Sequence, residues 1–402
     1  MPQKRLIIIG AGILGLATAY KCRKLLPSHR ITIIEKESLP GRHQSAHNSG
    51  VLHCGLHYKP RSLKARLALS GAQEMMQFCR RHGIGHQRCG KIVVATDQTQ
   101  IDRLKALQRQ GWENGLSDLR LLDQSALRKI EPHAAGTAAL HVPQEGIVDY
   151  ASVVRQLAQD IRAAGHQIRC GEKVTIIKER RNTWLIQTPK NEYLADFLVA
   201  CAGLHSDRLS LLSGAPPRVK IIPFRGEYYR IRPERQHLVR HLIYPVPDPR
   251  FPFLGPHFTR LIHGGVKAGP NAALALAREG YRKTDFNLAE AMDAATFPGL
   301  WRFVKNYPQM TLEELRQSFS KRRFCQSLQR LVPEIQADDL APEGAGVRAQ
   351  AMSREGALVQ DFEWEERKNA LHVINAPSPG ASASLALGGE IAARAKQQLA
   401  NR

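Results

Sequence analysis

Short apolar runs and longer amphipathic stretches alternate through the first two hundred residues. Arg5-Leu-Ile-Ile-Ile-Gly10 is apolar at consecutive positions, as a strand covered on both faces of a parallel sheet must be. From Ile13 to Leu26 apolar residues recur at helical spacing, and Pro27 stands where a helix has to stop. Arg30-Ile-Thr-Ile-Ile-Glu35 is a second buried strand, so the chain opens on a βαβ unit. Residues 62–82 read as a helix closed by His82-Gly83, and residues 91–96 as a strand. Short helices are expected over 98–110 and 123–130, and another after Tyr150, with Val153, Leu157 and Ile161 on one face. Ile168, residues 174–177, 184–187 and 197–200 are strand-like, the last running into Cys201-Ala-Gly203.

From Pro216 the texture changes. Nine prolines between 216 and 256 punctuate alternating segments such as Glu227-Tyr-Tyr-Arg-Ile-Arg232, which predicts antiparallel strands and long connections. Helical patterning returns over 286–332. A strand over 371–375 then leads through Ala376-Pro-Ser-Pro-Gly380 into a helix over 381–400. The expected class is α/β: a Rossmann-like, discontinuous nucleotide-binding domain (1–80, 145–215, 340–402) with a second, α+β domain (81–144, 216–339) whose sheet is mostly antiparallel.

A chain of 402 residues is long enough for two such cores. No run approaches the roughly 18 apolar residues of a membrane span. The polar start leads straight into a strand, so the expectation is a protein without a cleaved leader, working in the cytoplasm. Seven scattered cysteines with no CxxC point to reduced thiols. Charge changes the picture more. Lys and Arg outnumber Asp and Glu by 58 to 36, a formal +22. The basic residues are dispersed, with no basic tail and no recognition helix, so nucleic acid is not expected. Either the surface is generally basic, or it makes a peripheral contact with anionic lipid on the inner face of the cell membrane.

Gly10-x-Gly12-x-x-Gly15 follows a strand and opens a helix, and Glu35 ends the next strand. Those glycines allow a tight turn and close approach to a pyrophosphate, and the acid suits a ribose hydroxyl pair. A dinucleotide is expected. FAD fits better than NAD, because the chain leaves after the second strand for a Gly/His/Asn/Ser loop and returns much later. His43, His47, His53 and His57 include HxxxH spacings, but Gly50 and Gly55 break any helix and no acidic ligand is near in sequence. No metal is expected; His53 is the candidate catalytic residue. Arg348 follows a glycine-rich approach and could grip a carboxylate with two hydrogen bonds.

Taken together, these stretches resemble the L-2-hydroxyglutarate dehydrogenase/oxidase family, a branch of the D-amino-acid-oxidase-like FAD oxidoreductases. The likeness is carried by His43-Gln-Ser-Ala-His-Asn-Ser-Gly-Val-Leu-His53, Tyr58-Lys-Pro-Arg-Ser-Leu-Lys-Ala-Arg66, Ile222-Pro-Phe-Arg-Gly-Glu-Tyr-Tyr229, residues 241–255, Ala268-Gly-Pro-Asn-Ala272, Gly346-Val-Arg-Ala-Gln350 and residues 376–384. The resemblance implies a Rossmann-like FAD-binding domain and a substrate domain. It implies that Gly10, Gly12, Ile13, Leu14, Gly15, Glu35 and Lys36 hold the ADP part. His43, Gln44, His47, Asn48, Ser49, Gly50 and Val51 would follow the cofactor toward the flavin. Val174 would frame the adenine, and Ala202 and Gly203 would run along the cofactor. Pro379, Gly380, Ala381 and Ser382 would face the flavin's pyrimidine edge. Cys54 and His57 depart from the expected pattern.

The implied substrate is a small dicarboxylate 2-hydroxy acid, L-2-hydroxyglutarate, oxidised to 2-oxoglutarate. His53 is the expected base and Arg348 the clamp on the C1 carboxylate. Arg225, Tyr228, Tyr58, Lys59 and Arg260 are the candidates for the distal carboxylate. A membrane quinone or oxygen would take the electrons. Two readings stand beside this one: an amine or amino-acid oxidase (or another 2-hydroxyacid dehydrogenase) of the same fold, and a basic binding protein on a vestigial nucleotide fold.

Overall fold

Leu6 and Ile8 face one way and Ile7 and Ile9 the other, and both directions are filled. In the computed structural model, which describes residues 3–400, the first strand Lys4–Ile9 lies inside a six-stranded sheet. The order is Glu363–Arg367, Ala370–Asn375, Phe197–Ala200, Lys4–Ile9, His29–Ile34, Gln167–Arg169. Five strands are parallel; only Glu363–Arg367 is antiparallel to its neighbour. Leu6 and Ile8 pack against helices Ile13–Leu25, Tyr150–Ala163 and Ser384–Ala400 in the largest core. Ile7 and Ile9 pack with Trp184, Ile186 and Leu198 against a small sheet of Ile176–Arg180, Thr183–Gln187 and Glu192–Ala195. The uninterrupted apolar run is thus the signature of a strand with a layer on each side.

A second, nine-stranded sheet carries the antiparallel half. Its spine is a pair of long strands, Val219–Ile231 and Leu340–Ser353, matched from Val219 opposite Ser353 to Ile231 opposite Leu340, with a bulge between Glu227 and Tyr229. One internal pair is parallel, Lys91–Ala95 beside Leu242–Pro245. Helices Pro298–Asn306 and Lys321–Gln329 bury Leu300, Phe303, Phe324 and Leu328 in cores that line this sheet.

Three details differ from expectation. Leu340–Ser353 belongs to the antiparallel sheet through its pairing, so the parallel sheet is rejoined only after Ser353. Val174 precedes its strand, which starts at Ile176, although it is buried beside Ile9. The last helix begins at Ser384 and not at residue 381, because residues 377–383 form successive turns, with Gly380 N–H donating to Pro377 O and Ala383 N–H to Pro379 O. Among the described residues no helix is long and apolar enough to cross a membrane.

Candidate cofactor and substrate site

Strand Lys4–Ile9 ends where strand Phe197–Ala200 ends, and the two backbones nearly touch. At Gly10, φ is +101°, and a Cβ would stand 2.4 Å from Cys201 O. Only glycine permits that crossing. The helix that follows starts at Gly12 with no side-chain cap, while Ser45 Oγ accepts from Ile13 N–H. Glu35 is fixed from behind, its Oε2 accepting from Ala11 N–H (2.7 Å) and its Oε1 from Glu37 N–H (2.9 Å). A glycine-rich turn, a helix whose N-cap residue is a glycine and a fixed carboxylate fit the pyrophosphate and ribose of a dinucleotide. Gly15 sits against Gly10 O, and Leu14 packs into the main core below.

From Glu35 the chain runs as a loop across the top of this sheet. Gln44 lies against Gly203. Asn48 closes its own loop, its Nδ2 donating to Ser45 O and its Oδ1 accepting from Gly50 N–H. Ser49 Oγ accepts from Val51 N–H. Ser382 then ties this loop to the last helix: it accepts from His53 N–H at 3.0 Å and shares Val51 O with Tyr150. Val51, His53 and Ser382 are thereby held beside Pro379, Gly380 and Ala381, although more than 300 residues separate them. Ala202 packs at the edge of the Ile9 cluster.

His43 Nε2 lies 3.0 Å from Glu37 and 3.2 Å from Glu279. That trio has metal-ligand types within 4.8 Å. Lys36 Nζ, however, lies 2.5 Å from Glu37 and 2.6 Å from Glu279, so an ammonium already supplies the positive charge there. His47 stacks on Tyr281 at 3.9 Å, and burial lowers its pKa.

The acid–base centre is denser than the sequence suggests. His53 Nδ1 lies 3.2 Å from Glu145 Oε2, and Lys91 Nζ lies 2.9 Å from Glu145 Oε1. Lys91 and Glu145 are 0% and 1% exposed, so this is a fully desolvated ion pair. Burial would raise the Glu145 carboxyl, but Lys91 and His53 outweigh it and hold it well below the carboxylate range. A carboxylate can only accept, which assigns the proton to His53 Nδ1 and leaves Nε2 as a base. Glu145 Oε1 also accepts from Cys54 N–H. His57 Nε2 lies 3.4 Å from Lys91; burial and that lysine push its pKa down.

Strand pairing decides which face of the sheet each arginine takes. Arg348 is opposite Phe224, and Arg225 is opposite Val347. Side chains alternate along a strand, so Arg348 shares a face with Phe224, Gly346 and Tyr228, while Arg225 is on the other. Gly346 explains the close approach: a Cβ there would meet His47 O at 2.5 Å. Arg348 donates to Asn271 O at 3.0 Å and lies over Phe253. Tyr228 and His257 are within electrostatic reach of it, and His257 is also within reach of His53. Burial lowers His257 to about 3, despite its bond to Gly255 O.

The distal-carboxylate candidates therefore divide. Arg225 is not brought to Arg348; its guanidinium is spent on Glu227 (3.2 Å) and Arg282 O (3.0 Å), on the opposite face. Arg260 donates to Arg240 O and lines a cleft of about 300 Å³ with Arg230, His263 and Lys267, together with Asn48, Ser49 and Gly50 of the loop described above. Lys59 is exposed. Tyr58 and Tyr228 remain, both desolvated, with their hydroxyls pushed up by burial. Sequence reasoning missed Glu145, Lys91, Tyr244 and His257. Nothing local marks them, since Glu145 looks like a turn residue and Lys91 like a strand start.

A ligand that begins at the Gly10 crossing and ends beside His53 and Gly380 is a nucleotide at one end and a reaction centre at the other. That is the arrangement of the flavin-dependent oxidoreductases. Residues 5–394 match the DAO family, described as FAD dependent oxidoreductase, and the chain belongs to that family. It is 46% identical over 388 residues to the L-2-hydroxyglutarate dehydrogenase of Indibacter alkaliphilus, covering 96% of this chain and 97% of that one. The mitochondrial L-2-hydroxyglutarate dehydrogenase of Homo sapiens is 41% identical, covering 98% of this chain and 89% of its own length. Among solved structures, a dithionite-reduced, FAD-bound L-alpha-glycerophosphate oxidase from Mycoplasma pneumoniae superposes with a TM-score of 0.78 at 20% identity, covering 99% of this chain and 95% of that one. Glycine oxidase from Geobacillus kaustophilus follows at 0.72 and 18%, covering 98% and 95%. The enzyme's cofactor is FAD.

Proposed function

We propose that this enzyme oxidises L-2-hydroxyglutarate to 2-oxoglutarate. The observation that carries the reading is the 46% identity over 388 residues to an L-2-hydroxyglutarate dehydrogenase, in a chain where Arg348 and His53 are both within electrostatic reach of His257. Arg348 binds the C1 carboxylate through its planar fork. His53 Nε2 accepts the C2 hydroxyl proton as the C2–H bond breaks and the C2=O bond forms. When bound, FAD supplies the two-electron acceptor for the hydride that leaves C2. Tyr58 and Tyr228 meet the distal carboxylate as hydrogen-bond donors.

Gly10, Gly12, Ile13, Gly15 and Glu35 hold the cofactor's ADP part, with Lys36, His43 and Gln44 beside it and Val174, Ala202 and Gly203 along it. His47 to Val51 and Pro379 to Ser382 flank the flavin, where the helix start favours negative charge on the reduced ring. The neutral, desolvated histidines and tyrosines exclude water from the reacting carbon. A membrane quinone, reached by peripheral docking of this basic protein, takes the electrons in preference to oxygen. The enzyme then works in the cytoplasm, against the inner face of the cell membrane.

The test is anaerobic mixing of FAD-loaded protein with L-2-hydroxyglutarate, its D-enantiomer, lactate and a panel of amino acids, following flavin absorbance. Rapid bleaching by L-2-hydroxyglutarate alone is expected. Bleaching by amino acids and not by hydroxy acids would sink the reading in favour of an amino-acid oxidase.

A further inference from the structure

His53 is held by a residue from the other side of the fold. Glu145 lies in the turn between strands Ala138–Val142 and Gly146–Val148, and Lys91 begins the strand Lys91–Ala95 of the antiparallel sheet. Gly90 N–H donates to Glu145 O, so lysine and glutamate are clamped through backbone as well as charge. Two fully desolvated charges that merely cancelled would be a poor use of a core. Here the carboxylate has a third duty, because its second oxygen faces His53 Nδ1 at 3.2 Å.

We propose that Glu145 is a positioning residue for His53, and that Lys91 sets how strongly it acts. Glu145 keeps the proton on His53 Nδ1, turns Nε2 toward the substrate hydroxyl, and stabilises the imidazolium once the hydroxyl proton arrives. Lys91 opposes that last effect and keeps Glu145 ionised. The proposal rests on the reading of His53 as the base.

Few other groups can imitate this behaviour. The remaining titratable groups facing His53 are His57 and His257, and burial pushes both well below the ordinary imidazole value, His257 to about 3. Those facing Glu145 are Cys54, Cys89, Tyr58, Tyr150 and Tyr244, all pushed upward by burial and so uncharged at neutral pH. Arg348 is within electrostatic reach of His257 and is unaltered in every variant below.

The two halves of the pair have opposite signs, and that makes the test specific. In FAD-loaded Glu145→Gln, loss of the anion disfavours the imidazolium. The acidic limb of the kcat/KM profile moves down by about one pH unit, the usual effect of one close charge. The plateau falls about 10- to 1000-fold, within the range of general-base contributions, while KM stays within about threefold. In Lys91→Gln the unopposed carboxylate moves the limb up instead. Glu145→Asp keeps the charge and leaves the limb near its original pH with part of the rate restored. A readout that needs no turnover accompanies these: the 15N shifts of His53 in the oxidised, FAD-loaded protein, assigned by difference from His53→Ala. They report Nδ1–H in the parent and a mixture of tautomers in Glu145→Gln. A limb that stays put in both charge variants, with unchanged 15N shifts, overturns the proposal. Should Glu145→Gln not hold FAD, the upward shift in Lys91→Gln decides alone. A His53→Ala variant that reduces flavin at the parent rate overturns the base assignment instead, so the two failures are distinct.

Discussion

Charge at single side chains is what this site controls most closely. Arg348 is oriented by Asn271 O and Phe253, and leaves Tyr228 beside it on the same face of its strand. Lysine would keep the charge but lose the planar fork. Arg348→Lys is therefore expected to lower kcat/KM for L-2-hydroxyglutarate by roughly 10- to 100-fold, the worth of one charge-assisted hydrogen bond of about 1.5–3 kcal/mol. Steady-state kinetics with L-2-hydroxyglutarate checks it, and an unchanged kcat/KM would remove Arg348 from the clamp. Gly10, Gly12, Gly15 and Glu35 are readable in sequence because their spacing is local. Lys91 and Glu145 are not, because their ionised pairing depends on strands 50 residues apart in the chain. The side to which Arg225 or Arg348 points was equally hidden: both are arginines in largely apolar stretches, and only the register with Val347 and Phe224 separates them.

One connecting segment links the two sheets across the cofactor groove. Strand Ala273–Leu274 leads to Arg278, whose guanidinium is 2% exposed and grips Asp207 and Leu204 O. Glu279 pairs with His205 and Lys36, and Tyr281 stacks on His47. The segment thus touches the loop after the second strand and the turn after Gly203 together, which are the two walls expected along the cofactor. Burial would raise Glu279, but its bonds from His205 and Lys36 bring it down to about 2 from an ordinary 4.5. A depressed carboxyl stabilises the fold above its unfolded pKa and loses that contribution as pH falls toward its folded one. FAD release, followed by flavin fluorescence, is expected to rise between about pH 4.5 and 2 in the parent. Glu279→Gln should release FAD more readily at neutral pH and show a flatter dependence across that window. Equal release from both proteins at pH 7 would remove the segment's role in retention. The sequence gives no hint of this contact; residues 273–285 have no periodicity, and their partners lie in a different sheet.

Taken as a molecule, the protein sets a six-stranded, mostly parallel sheet beside a nine-stranded, mostly antiparallel one, with two smaller three-stranded sheets, and its composition is strongly basic. Apolar side chains also reach the surface on the helical stretch after residue 285, where Phe286 is 59%, Trp301 60% and Phe319 84% exposed. A formal +22 and such side chains suit an anionic interface. The protein is expected to sediment with phosphatidylglycerol-containing vesicles at low salt and to leave them in 0.5 M salt, while neutral vesicles bind weakly. Equal recovery in all supernatants would remove the membrane from the reading. The sequence by itself determined the parallel strands, the first helix and the glycine turn before it, because buried strands and glycine turns are written within a few neighbouring residues. It also determined which residue types the chemistry would use. Only the tertiary structure decided that Glu145 and Lys91 stand behind His53, that Arg348 and Arg225 take opposite faces of their sheet, and that Arg260 shares a cleft with Asn48, Ser49 and Gly50. Those outcomes depend on strand register and on distant segments meeting. Burial then gives the charges a strength that no position along the chain reveals.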